Sequence, residues 1–251
     1  MLSDERDGIL VFAPHPDDDA IGCGGTLAML AAARMPCTVV YVTDGSACHP
    51  NSRRFTAAQL ARQRETEARV ALRHLGVEAA PIFMRETDGT LAALAAAQRT
   101  RLVERIRSLV AGIAPSLVFA PWRRDVHDDH VVTSSVVEEA VGRLPFPPRL
   151  LFYSVWQPLH GRRDDSPRDE EVLQLCVRLT GEARAKKRLA IAAHRSQTMT
   201  LADDEPGFRI TPEMFAAWTG PTETFLIPAS GALRGGANPL RRAWRFVRRL
   251  A

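Results

Sequence analysis

Lysine is nearly missing from this chain: of its 33 basic residues, only Lys186 and Lys187 are lysine. Such a skew follows genome composition as readily as activity, so no function is drawn from it. Cysteine is scarce too. Cys23, Cys37, Cys48 and Cys176 are scattered without a C-x-x-C, which argues against a disulfide framework and a cysteine zinc knuckle and predicts reduced, mostly buried thiols. No apolar run approaches the ~18 residues of a membrane span. The opening MLSDERDG lacks the basic start and apolar core of a signal peptide, which predicts a cytoplasmic protein. No internal repeat is present.

What is there is ordinary in bulk: 251 residues, 45% hydrophobic and 25% charged, enough for one domain with a full core. The net charge of +4 misleads. Residues 231–251 hold six arginines and no acid, so the remainder carries −2 and does not bind nucleic acid by charge. The chain therefore divides into a domain over residues 1–230 and a basic tail over 231–251.

Short apolar runs alternate with helical stretches. Gly8–Ala13, 37–43, Ala80–Met84 and Leu117–Ala120 are predicted strands. Between and after them, helices are predicted from about Gly24 to Arg34, Thr56 to Leu75 (ended by Gly76), Leu91 to Ala111 and His130 to Arg143. This rhythm predicts an α/β fold, a Rossmann-like, mostly parallel sheet with helices on both faces. Further on, strands at Leu150–Trp156, Val172–Leu179 and Thr222–Ile227 and a helix at Glu182–His194 are expected, with a polar loop at 157–170.

In such sheets ligands sit at the carboxyl ends of strands. Two polar clusters fall there: Pro14-His15-Pro16-Asp17-Asp18-Asp19 after the first strand, and Asp125-Val126-His127-Asp128-Asp129-His130 after the fourth. Catalytic zinc takes three protein ligands and keeps a place for water, and His15, Asp18 and His130 would supply that set. A bound cation lowers the pKa of water to roughly 7, provided something accepts the proton; Asp17, beside a ligand, suits that role. Taken singly, these residues read as helix-dipole carboxylates and ordinary histidines; together they favour function.

The runs APHPDDDAIGCGGTLA and DVHDDHVVTS resemble the LmbE-like, or PIG-L, family of zinc-dependent N-acetylglucosaminyl deacetylases. The similarity spans residues 8 to about 228. It implies hydrolysis of the N-acetyl (N-acyl) group of an amino-sugar conjugate, with zinc or another divalent transition metal as cofactor. It makes His15, Asp18 and His130 the metal ligands and Asp17 the general base. His127 becomes a cation steadying the oxyanion, with Asp129 behind it as orienting partner. Asp19 stands where the family has glutamate. Weaker correspondences imply that Arg64 and Asp88 bind sugar hydroxyls, with Asp44 a lesser candidate.

His49, His74 and His160 are expected at the surface, and His194 in packing or support. One rival reading is a nucleotide-binding protein, since Gly22-Cys23-Gly24-Gly25 follows a strand, although its spacing is not G-x-G-x-x-G. Another is a metal-dependent phosphoesterase using the same ligands. The aglycone would meet the loops at 46–56, 157–170 and 195–213. In the tail, Leu240, Ala243, Trp244, Val247 and Leu250 recur at helical spacing opposite arginines. Packing on the body or on a second subunit is the usual fate of such a stripe, and peripheral contact with an anionic membrane is the alternative. A homo-oligomer is compatible with all of this.

Overall fold

The computed structural model of the chain describes residues 8–199 and 207–229. The first four apolar runs form β1 (Ile9–Ala13), β2 (Cys37–Thr43), β3 (Ile82–Glu86) and β4 (Leu117–Pro121), joined by β5 (Arg149–Tyr153). These five pair in parallel, and β7 (Thr222–Pro228) runs antiparallel between β5 and β6 (Val172–Arg178). The order is β3-β2-β1-β4-β5-β7-β6. All five residues of β1 and of β4 are buried, as a strand covered on both faces requires.

One face carries α1 (Asp18–Ala32), α2 (Ala57–Leu75) and α6 (Gly181–Ala193), packed over Tyr41, Phe119, Tyr153 and Phe225. The other carries α3 (Ala96–Ile113) and α4 (Asp128–Gly142) over Phe12, Val118 and Phe152. Short helices α5 (Gln157–His160), α7 (Arg195–Thr198) and α8 (Pro212–Trp218) complete the α-helices of the described residues. The α2 boundaries follow local chemistry: Thr56 and Gln59 form a capping box, and Gly76 ends the helix at φ 79°.

Three expected boundaries move for tertiary reasons. Helix α1 begins at Asp18, not near Gly24, because its glycines are packing positions. A Cβ on Gly22 would lie 2.1 Å from the Tyr153 ring, and one on Gly25 would lie 2.4 Å from Leu179. The stretch expected as one helix from Leu91 opens with a 3-10 turn at Leu91–Ala93 and becomes α-helical at Ala96. There the Leu91 N–H donates to Asp129. Strand β5 stops at Tyr153 because the N–H groups of Val155, Trp156 and Gln157 turn to Asp125.

Of the four free thiols, Cys23 and Cys37 are buried, whereas Cys176 is exposed on the outermost strand, so burial is not the rule. His49 is buried, not at the surface, its Nε2 2.7 Å from the Ser196 carbonyl oxygen. Among the described residues no helix is long and apolar enough to cross a membrane. The basic tail lies outside the described residues.

Candidate metal centre

The strand order reverses between β1 and β4, and the segments leaving these two strands meet there. The loop after β1 is held by β2: Thr43 donates to the Pro14 carbonyl through N–H (2.9 Å) and Oγ1 (2.8 Å). The His15 N–H donates to Asp18 Oδ2 at 2.8 Å, which turns His15 over the start of α1. From β4, His127 caps α4 and His130 lies in its first turn.

Three donor atoms converge. His15 Nδ1 lies 3.1 Å from Asp18 Oδ2, His130 Nε2 lies 3.2 Å from that oxygen, and the two nitrogens are 3.3 Å apart. Tetrahedral zinc with bonds of about 2.0–2.1 Å spaces its ligands by about 3.3–3.4 Å, so this triangle fits the ion with one face left open. Electrostatics agree. Burial opposes a charged His130, yet Asp18 and Asp125 outweigh it and raise its pKa to about 9. His15 is likewise raised, against burial, by Asp129, Asp18 and Asp88. Burial would lift Asp18, but the two histidines hold it well below the usual carboxylate range. Without a metal, protons supply positive charge that the carboxylates demand; a divalent cation answers the same demand.

Each histidine of the triangle has a carboxylate behind it, the arrangement that fixes the tautomer of a metal-binding imidazole. His130 Nδ1 lies 3.0 Å from Asp125 Oδ2. His15 Nε2 lies 3.0 Å from Asp88 Oδ1 and 3.3 Å from Asp129 Oδ2. Asp125 is the supporting residue that sequence reasoning left without a role, although the D-x-H-x-D-H spacing contains it.

Several expected roles change with this geometry. The Asp129 carboxylate is taken up by His15 and by the N–H groups of Gly89 (2.7 Å) and Leu91 (3.1 Å), not by the His127 ring. What meets His127 is the Asp129 N–H, donated to Nδ1 at 3.1 Å. A ring that accepts at Nδ1 carries its proton on Nε2 and is neutral. Burial and the nearby His15 and His130 also lower its pKa, which favours a neutral ring over the expected cation.

Asp88 faces His15 and accepts the Ala47 N–H (2.8 Å). Asp44 Oδ1 accepts the N–H groups of Ser46 and Asp88. Arg64 is buried. It donates to the Gly45 carbonyl at 2.9 Å and lies 3.0 Å from Asp17 Oδ1, so it is not presented to a sugar. Gly45, at φ +66°, is required there, since a Cβ would lie 2.6 Å from the guanidinium.

Asp17 is buried beside the triangle without belonging to it. Burial raises its pKa, Arg64 opposes the rise and Asp18 adds to it; the net is upward, toward the range of a working base. Asp19 is fully buried and burial lifts it to about 7. The glycines of the supposed phosphate loop are filled by Tyr153 and Leu179, and the Gly25 and Thr26 N–H groups donate to Glu223 (2.8 Å each), which removes the basis for a nucleotide site.

A Rossmann-like sheet with a buried His-Asp-His donor triangle at its switch point is an arrangement that suits a metal-dependent hydrolase. The family model for PIG-L, GlcNAc-PI de-N-acetylase, matches residues 10–141, and the chain belongs to that family of amide-cleaving deacetylases. It is 32% identical over 158 residues to a probable N-acetyl-alpha-D-glucosaminyl L-malate deacetylase 2 of Bacillus anthracis, covering 61% of this chain and 67% of that protein. With the 2'-N-acetylparomamine deacetylase of Streptomyces fradiae it shares 30% identity over 170 residues, 63% of this chain and 60% of the relative. Among solved structures, the conserved protein TT1542 from Thermus thermophilus aligns with TM-score 0.63 and 27% identity over 92% of this chain and 97% of that one.

Proposed function

We propose that the chain is a zinc-dependent N-deacetylase of amino-sugar conjugates of the N-acetylglucosamine type. The observation that carries this reading is the donor triangle of His15, Asp18 and His130, with Asp17 and His127 beside it. The names of the relatives, deacetylases of N-acetylated amino sugars, support the substrate class.

In this reading His15, Asp18 and His130 hold the cation. When bound, it polarises the scissile carbonyl and lowers the pKa of water to roughly 7. Asp17 takes a proton from the attacking water and returns it to the departing nitrogen, so that hydroxyl joins the acyl carbon and the products are acetate and a free amine. His127 donates its Nε2 proton to the oxyanion as the carbonyl becomes tetrahedral. Arg64 orients Asp17, and Asp88 with Asp129 orients His15; these are positioning roles.

A phosphoesterase is less well served. A phosphate would meet the Asp17 carboxylate, while Arg64 is already engaged by Asp17 and Gly45. The test is acetate release from a panel of N-acetylglucosaminides by zinc-loaded protein, with phosphodiesters as controls. Acetate release lost in His130→Ala supports the reading; phosphodiester cleavage without acetate release replaces it.

A further inference from the structure

The segments flanking the metal centre converge on one aromatic group. The Phe208 N–H donates to the Cys48 carbonyl at 3.0 Å, joining the stretch before α8 to the loop after β2. The Phe208 ring meets the Trp156 indole edge-on, centroids 5.5 Å apart at 81°, and Trp218 does the same at 5.5 Å and 80°. Trp218 is fixed by its Nε1–H, donated to the Val155 carbonyl at 3.1 Å. On a further side His160 lies parallel to Trp156, centroids 5.8 Å apart at 22°. Trp156 is half-buried and His160 exposed.

This pair is tied to the chemistry. The N–H groups of Trp156 (3.0 Å) and Gln157 (2.7 Å) donate to Asp125 Oδ1, and the other oxygen of that carboxylate holds His130 Nδ1. One side chain thus separates the metal ligand from the backbone that presents the indole. Two edge-on aromatic neighbours and two backbone anchors hold Trp156 before any ligand arrives, so little rotamer freedom is lost on binding.

We propose that Trp156 and His160 form a stacking subsite for a second sugar ring, linked to the amino sugar whose amide lies at the metal. This deepens the deacetylase reading and rests on it. Pyranose rings present C–H faces that pack on flat π-systems, and their equatorial hydroxyls reach outward to polar groups. Polar side chains follow closely in the chain: Gln157 is half-buried, and Arg162 and Asp164 are exposed.

The test uses zinc-loaded protein and two ligands that are not consumed, glucosamine and its β-1,4-linked disaccharide, measured by calorimetry. The wild type is expected to bind the disaccharide more tightly. His160→Ala, at an exposed position that spares the fold, and Trp156→Leu each reduce disaccharide affinity roughly three- to tenfold and leave the monosaccharide within about twofold. Trp156→Phe keeps a flat ring and retains most of the preference. In turnover the same variants raise KM for N,N'-diacetylchitobiose with kcat unchanged. Equal affinity of the wild type for both ligands, or equal losses for both in the variants, overturns the subsite. Tighter binding of an octyl glucosaminide that is lost in the same variants also overturns it, in favour of an apolar aglycone. If no acetate is released from any N-acetyl substrate, the deacetylase reading falls while the binding data still decide the subsite.

Discussion

Asp125 Oδ2 receives the Nδ1 proton of His130 at 3.0 Å, and the same carboxylate accepts the N–H groups of Val126, Val155, Trp156 and Gln157. With Nδ1 fixed as a donor, Nε2 keeps its lone pair for the proposed metal. Asp125→Asn places an amide against those donors and is expected to weaken zinc binding 10- to 100-fold. Competition against a chelator reads this directly, and affinity within twofold of wild type would refute the role. Arg64 lowers the Asp17 pKa, so removing its charge must raise it. On the proposed mechanism Asp17 works deprotonated, hence Arg64→Met is expected to move the acid limb of the kcat profile to higher pH, with zinc content unchanged. An unmoved limb would separate Asp17 from proton transfer. His127→Ala should keep its metal yet lose about 10²–10³ in kcat, the usual effect of deleting one oxyanion donor.

Helix α1 shows what a local reading can and cannot extract. Glycines 22, 24 and 25 look like punctuation before a helix, but inside this one they let it settle onto the sheet and α6, with Tyr153 where a Gly22 Cβ would be. Gly22→Ala forces the ring or the helix to shift and is expected to cost about 1–3 kcal/mol. At roughly 2–4 °C per kcal/mol for a domain of this size, calorimetry should record a lowered Tm. An unchanged Tm would mean that the helix has room to move. The strands β1, β2 and β4 were legible because continuous apolar runs encode burial on both faces. So were both histidine motifs, because their place after a strand puts them at the ligand edge. The split before α3, the end of β5 and the inward turn of Arg64 were not legible. Each is set by a partner distant in sequence, namely Asp129, Asp125 and Asp17, and leaves no periodicity to detect. The pattern along α2 carried no hint that Arg64 would pair with the candidate base.

At the scale of the whole molecule, the candidate metal centre couples folding to pH, and the size of that coupling depends on what neutralises the carboxylates. In metal-free protein the buried His130 has a pKa near 9, against about 6.5 when unfolded. The folded state then binds the proton more tightly. Its stabilisation is fully present below pH 6.5 and is lost as pH rises through 9, an amount on the order of 3 kcal/mol. Asp19, lifted to about 7, adds a loss in the same direction, but one complete near neutrality and shared by the metal-loaded protein. A zinc ion needs the histidines deprotonated, so it competes with those protons at low pH and replaces them at high pH. The Tm of chelator-treated protein is therefore expected to fall between pH 7 and 9.5 more steeply than that of zinc-loaded protein, and the gap between them to widen with pH. Thermal melts of both forms across that window test this, with His130→Ala as the control whose two curves should coincide. A gap that stays constant or narrows as pH rises would mean that the His130 proton and the metal do not occupy the same electrostatic place, and would count against His130 as a ligand.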